Sequence, residues 1–253
     1  MILAHDVAGD GPALTLLHSS VCDRRMWDAQ WPALLAAGYQ VIRADLPGFG
    51  QTPVPHEPYR PAAEVLNLLD TLGIERTALV GASYGGRLAL EIAASWPDRV
   101  TALALLCPGM PDHQPSAELS AWDARETALL EAGDVAGAVE LNVSTWLGPE
   151  ADEATRERVR QMQRHAFEVQ LAAPDVPTIK TEVDLSRIRA TCLVLSGRHD
   201  MTDFRRIAAG LPELLPDARH VELPWAGHLP NLERPAEIAT LLTDSLAETL
   251  AAR

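Results

Sequence analysis

The chain has 253 residues, enough for one large α/β domain or for a core with a modest insert. Hydrophobic residues make up 47% and charged ones 22%, a globular composition that argues against global disorder. The formal net charge of −14 argues against a basic face for a phosphate backbone, so no nucleic-acid partner is expected.

In chain order, the segment from Ile2 to Val7 reads as a short strand, followed by a turn at Gly9-Asp10-Gly11-Pro12. Ala13 to His18 is a continuous apolar run ending in polar residues, as a strand buried on both faces would be. Trp27 to Ala37 has helical character and stops at Gly38; Tyr39 to Ala44 is the next strand. A turn-rich loop, Asp45 to Thr52, leads through a Pro-rich stretch to a helix from about Pro61 to Leu72. Thr77 to Ala82 is a strand, and Leu88, Ile92 and Trp96 then recur on one helix face. Arg99 to Cys107 is another buried strand. Strands alternating with helices imply β-α-β units and a mostly parallel, doubly wound sheet.

From about Pro108 to Asp184 the pattern offers helix-like segments only: Ser120–Ala132, Val135–Trp146 and Asp152–Gln170. Alternation resumes with a strand at Thr191–Leu195, a helix near Phe204–Leu211, a strand at Arg219–Leu223 and a last helix from Pro235. The expected organisation is therefore a core built from residues 1–108 and 185–253, with a helical cap at 109–184 inserted late in the sheet. In open α/β sheets ligands bind at the carboxyl edge of the strands, so the insert reads as a lid over that edge. Met1 to Asp6 carries no basic stretch followed by an apolar one, and no apolar run approaches the ~18 residues of a membrane span. Cys22, Cys107 and Cys192 are scattered and odd in number, which fits buried thiols and a cytoplasmic location better than disulfides or zinc.

The chemistry centres on Gly81-Ala82-Ser83-Tyr84-Gly85, a G-x-S-x-G pentapeptide between an apolar strand and a helix. A serine at such a turn has its hydroxyl pushed out at the top of the sheet. Asp200 follows the strand that ends in Leu195-Ser196-Gly197, and His228 lies just past the last strand, so all three project from one sheet edge. His228 would take the serine proton, Asp200 would orient the imidazole, and backbone N–H groups would hold the developing oxyanion. The elbow supplies one such donor at Tyr84; the second is expected from the loop His18-Ser19-Ser20, with Ser20 the donor by position.

These residues and their order resemble the α/β-hydrolase superfamily, in its serine-nucleophile branch. The match spans nearly the whole chain: the elbow, the Asp45–Gly50 loop, Gly197-Arg198-His199-Asp200, and Ala226-Gly227-His228 with Glu233 and Pro235 downstream. It departs from the family at Ser19, where the oxyanion loop usually has Gly, and in lacking a proline soon after the acid. Enol-lactonases acting on 3-oxoadipate are similar in having Ser in that loop, and they resemble Met26-Trp27-Asp28-Ala29-Gln30 downstream. The resemblance implies an α/β-hydrolase fold and a cofactor-independent, metal-free hydrolase of a carboxylic ester or lactone, working through an acyl-enzyme. Carbon–carbon hydrolysis, acyl transfer or perhydrolysis could use the same triad, and a non-catalytic small-molecule binder could keep the same fold.

Asp203 competes with Asp200 for the role of acid. His199 reads as solvated, His18 as structural, and His5, His56, His113, His165 and His220 as surface or core residues without a partner pattern. Cys22 lies near the site but has no basic partner, so it reads as inert. A zinc site from His199, Asp200 and His228 lacks ligand spacing. In the cap, Trp122 and Trp146 are the candidate substrate-binding residues, and few charges are expected to line the pocket, which suits a largely apolar substrate.

Overall fold

A computed structural model describes residues 2–251, so Met1, Ala252 and Arg253, the outer ends of the expected core segments, lie outside the described residues. Among the described residues seven strands form one sheet: β1 (His5–Ala8), β2 (Ala13–Leu17), β3 (Gln40–Ala44), β4 (Thr77–Ala82), β5 (Val100–Leu106), β6 (Thr191–Gly197) and β7 (Ala218–Leu223). Their spatial order is β1-β3-β2-β4-β5-β6-β7; β1 pairs antiparallel with β3 and every other pair is parallel. Among the described residues the α-helices are α1 (Trp31–Ala36), α2 (Pro61–Thr71), α3 (Tyr84–Ser95), α4 (Ala117–Glu131), α5 (Val135–Trp146), α6 (Glu153–Leu171), α7 (Thr202–Leu214), α8 (Pro230–Glu233) and α9 (Pro235–Ala251).

Strand β4 occupies the middle of the sheet, and all of its residues are buried. Helices cover both faces, which is why the parallel strands read as continuous apolar runs rather than alternating ones. The side chains still alternate by face. Leu16, Val80, Ala104 and Leu193 join one buried cluster, whereas Leu17, Leu79, Leu105 and Val194 join the other. Each such fully buried aliphatic side chain stabilises the fold by about 1.5–3 kcal/mol relative to exposure.

Helices α4, α5 and α6 lie in the chain between β5 and β6, where the β-α alternation pauses. They are not equivalent. Val139, Val143 and Trp146 of α5, with Val159, Met162 and Phe167 of α6, belong to the same buried cluster as the sheet residues. None of the residues of α4 is buried.

Two expectations shift. The single helix expected over Trp27–Ala37 is divided into a 3-10 turn at Arg24–Trp27 and α1, because Asp23 caps Arg25 N–H and Pro32 restarts the chain in the first turn of α1. The first strand starts three residues later than Ile2 and runs antiparallel at the sheet edge. No helix among the described residues is long and apolar enough to cross a membrane.

Candidate active site

The tight turn at the end of β4 is enforced by contacts on both sides of Ser83. A Cβ on Gly81 would collide with the Gly85 carbonyl, and one on Gly85 with the Leu17 carbonyl in the neighbouring strand. Ser83 itself has φ 50° and ψ −111°, a conformation that a non-glycine residue adopts only under constraint. Its N–H donates to Leu106 O (2.9 Å) and its carbonyl accepts from Arg87 and Gly109 N–H, which pins the strained residue between β5 and α3. Its side chain stands at the N-terminus of α3, where the helix dipole favours negative charge.

Asp200 follows β6 and His228 follows β7. Asp200 Oδ2 accepts from His228 Nδ1 at 2.7 Å, and both side chains are buried. Asp200 Oδ1 accepts the Met201 N–H, so both carboxylate oxygens have donors. The Nδ1 bond leaves Nε2 at the opposite edge of the ring. The acid turn forms without the proline: His199 N–H donates to Ala226 O, tying that turn to the histidine loop. Ser83 and His228 line one cavity of about 290 Å³, together with Ser20, Trp122 and Trp146.

Asp203 is drawn elsewhere. It accepts from Ser116 N–H and Oγ–H and from His113 Nε2, so it holds the start of α4 rather than His228. This corrects the reading of His113 as partnerless: its partner is 90 residues away in the chain, out of reach of local pattern. His165 Nε2 bonds the Gly50 carbonyl and His220 Nε2 bonds Ser196 Oγ, so these too have partners. His199 is exposed. Buried His18 donates from Nδ1 to Ser19 O and accepts the Leu46 N–H at Nε2, so it is a neutral brace between two loops. Burial, more than any neighbouring charge, pushes its imidazole below the usual histidine range.

The loop after β2 departs from glycine at no conformational cost. Ser19 is absent from the positive-φ residues, so its Cβ meets no left-handed strain. Its carbonyl accepts the Cys22 N–H and closes the turn that presents Ser20. No acceptor for the Ser20 or Tyr84 N–H occurs among the described residues.

Other residues at the site have little local signature. The His228 ring is held between Trp146 (centroids 4.7 Å apart) and Phe204 (4.3 Å), and Trp122 packs edge-on against Trp146 at 4.7 Å. Phe204 lies four residues after Asp200 at the start of α7, a spacing that could have marked it. Glu233 receives Gly227 N–H (3.0 Å) and Gly148 N–H (3.2 Å), bridging the histidine loop to the end of α5. The Gly227 and Gly148 backbones approach so closely that neither can carry a Cβ. Burial raises the Glu233 carboxyl above the usual range, partly offset by those N–H donors. Apolar side chains such as Leu119, Trp122 and Phe167 line part of the cavity, but polar ones line the rest, including two carboxylates of α4, Asp123 and Glu126, so the lining is less apolar than expected.

Cys107, Asp200 and His228 have potential ligand atoms within 4.8 Å of one another. Two of these three groups, Asp200 and His228, are hydrogen-bonded directly to each other, and burial pushes the Cys107 thiol well up. Cys22 is likewise buried with its thiol raised.

A sequence profile described as "Alpha/beta hydrolase family" matches residues 16–241. This chain belongs to that family. Among relatives of this α/β hydrolase is a putative carbamate hydrolase, RutD, of Pseudomonas savastanoi pv. phaseolicola, 28% identical over 94% of both chains. A hydrolase from Pseudomonas aeruginosa superposes with TM-score 0.80 at 31% identity, covering 96% of this chain and 94% of its own. The enol-lactonase from Burkholderia xenovorans LB400 does so with TM-score 0.80 at 25% identity, covering 97% and 96%.

Proposed function

We propose that this α/β hydrolase cleaves a carboxylic ester or lactone through an acyl-enzyme formed on Ser83. The observation that carries the reading is the buried 2.7 Å Asp200–His228 hydrogen bond beside a strained serine on the same cavity. With Nδ1–H donated to Asp200, His228 presents Nε2 as the base for the Ser83 hydroxyl proton. Asp200 keeps that tautomer and stabilises the imidazolium as it forms. The serine oxygen attacks the acyl carbon, and negative charge builds on the carbonyl oxygen. The Tyr84 N–H at the start of α3 and the Ser20 N–H then stabilise it as two preorganised donors. His228 returns its proton to the leaving alkoxide, and a water deprotonated by His228 hydrolyses the acyl-serine.

Residues 109–184 act in this reading as a cap over the site, with Trp122 and Trp146 forming its apolar wall. The names of the carbamate hydrolase and enol-lactonase relatives support acyl chemistry of this kind at a related site.

The test uses Ser83→Ala with short-chain aryl esters and lactones. Turnover is expected to fall by roughly 10³–10⁶-fold with the fold retained by circular dichroism. Wild-type rates in that variant would rule out the serine as nucleophile. A fluorophosphonate probe separates the enzyme from a fold that only binds: it should label Ser83 in the wild type and leave Ser83→Ala unmodified.

A further inference from the structure

One wall of the cavity beside Ser83 takes no part in the acyl chemistry. It is formed by Asp123 and Glu126 of α4, Asn142 and Trp146 of α5, and Gln163 of α6. Glu126 follows Trp122 by four residues and Asp123 by three, so it neighbours each of them on the helix surface.

The Asn142 amide and the two indole donors at this wall are already engaged. Asn142 Nδ2 donates to Glu126 Oε1 and to Ala138 O. The Trp146 indole donates to Asn142 Oδ1 at 2.9 Å, and the Trp122 indole to Thr145 Oγ1 at 3.1 Å. Acceptors are left over. Gln163 is 4% exposed, and its Oε1 has no hydrogen-bond partner. The carboxylates that line the same cavity, Asp123 and Glu126, offer it no donor when ionised, because they too only accept. Buried polar atoms are nearly always paired, so an orphan on a cavity wall marks a place for a ligand donor. The other orphaned buried atoms, such as Trp27 Nε1 and Asn231 Oδ1, belong to residues that do not line this cavity.

Charge points the same way. The ionisable side chains lining the cavity are Asp123, Glu126 and His228, and no lysine or arginine lines it. Burial pushes the Glu126 carboxyl up, with Asn142 offsetting part of that, so a neighbouring cation would favour its charged form. The Trp122, Trp146 and Phe167 rings add faces on which a cation is held.

We propose that this wall recognises an ammonium group carried by the substrate at a distance from its scissile carbonyl, held by Gln163 Oε1, Glu126 and Asp123 beside the tryptophan rings. An ammonium has three donors and no acceptor, the complement of the Asp123 and Glu126 carboxylates and of the Gln163 carbonyl oxygen. An acyl chain ending in a carboxylate meets two acids and no cation, and is disfavoured.

The kinetic arm of the test rests on the serine-hydrolase reading; the binding arm does not. Wild-type kcat/KM is measured for the 4-nitrophenyl esters of 6-aminohexanoate, heptanoate and adipate (the monoester), which differ only at the chain end. The aminated ester is expected to exceed the neutral one by about tenfold or more, and the acidic one to be slowest. Glu126→Gln and, separately, Gln163→Leu should each lower the ratio of aminated to neutral by about fivefold. A neutral ester equal to or better than the aminated one, or a ratio unmoved in both variants, overturns the proposal. In the binding arm, hexylammonium, hexanol and hexanoate are titrated into the wild type with tryptophan fluorescence and calorimetry as readouts. Hexylammonium should bind tightest, and equal or weaker binding than hexanol overturns the subsite. Ammonium preference in binding with no ester turned over would keep the subsite and remove the hydrolase reading instead.

Discussion

Ser83 concentrates the cost of the site in one residue. Its φ of 50° lies where an L side chain is crowded, and such strain costs on the order of 1–3 kcal/mol. Glycine relieves the strain but gives up about 0.5–1 kcal/mol of unfolded-state entropy. Ser83→Gly is therefore expected to raise stability by about 1 kcal/mol in chemical denaturation while abolishing turnover; a loss of stability would contradict the strain argument. The loop after β2 shows the opposite case. The Gly-to-Ser departure at Ser19 signals trouble in the sequence, yet Ser19 carries no positive φ and the turn closes normally. A motif departure is costly only where the backbone conformation requires the usual residue.

At the scale of elements, α4 packs only through partly buried side chains and is tethered by polar bonds at its start. Asp203, buried in α7, accepts Ser116 N–H at 2.8 Å and Ser116 Oγ–H at 2.6 Å, with His113 Nε2 at 2.8 Å. Burial alone would raise the Asp203 carboxyl; the hydrogen bonds from Ser116 and His113 together outweigh it and hold it below the usual range. A carboxyl whose folded pKa is depressed stabilises the fold above its unfolded value, near 3.9, and loses that contribution as pH falls through the folded value. Asp203→Asn should cost about 1.5–3 kcal/mol at pH 7. The gap from wild type should narrow as pH falls below about 4, where the unfolded carboxyl protonates first and the native one follows at its lower value. Denaturant midpoints at pH 7 and pH 3 decide this, and an equal gap at both would remove the ionic part of the tether.

For the molecule as a whole, stability is unevenly distributed over the helices between β5 and β6. The apolar residues of α5 and α6 are continuous with the sheet cluster, whereas α4 has no buried residue and its neighbour contacts are polar tethers and partly buried side chains. Segments with few buried apolar contacts open at low free energy. Amides of α4 are thus expected to exchange with solvent well before those of α5, α6 and the central strands, giving the cavity its entrance. Uniform protection across α4–α6 by hydrogen-exchange mass spectrometry would refute that division.

The sequence by itself determined the parallel sheet, the place of the helical excursion and the order Ser83, Asp200, His228. These follow from local causes: apolar runs of strand length, helical spacing, and a glycine pair that only a tight turn requires. Profile and superposition agree on the family. Only the tertiary structure decided which acid faces His228, because Asp200 and Asp203 lie three residues apart and their partners lie 28 and 87 residues away. It also decided that Phe204 backs the imidazole, that Glu233 joins two loops, and that Gln163 is left without a donor. Those facts depend on side chains brought together from distant strand ends, where neighbours in space share no periodicity in the chain.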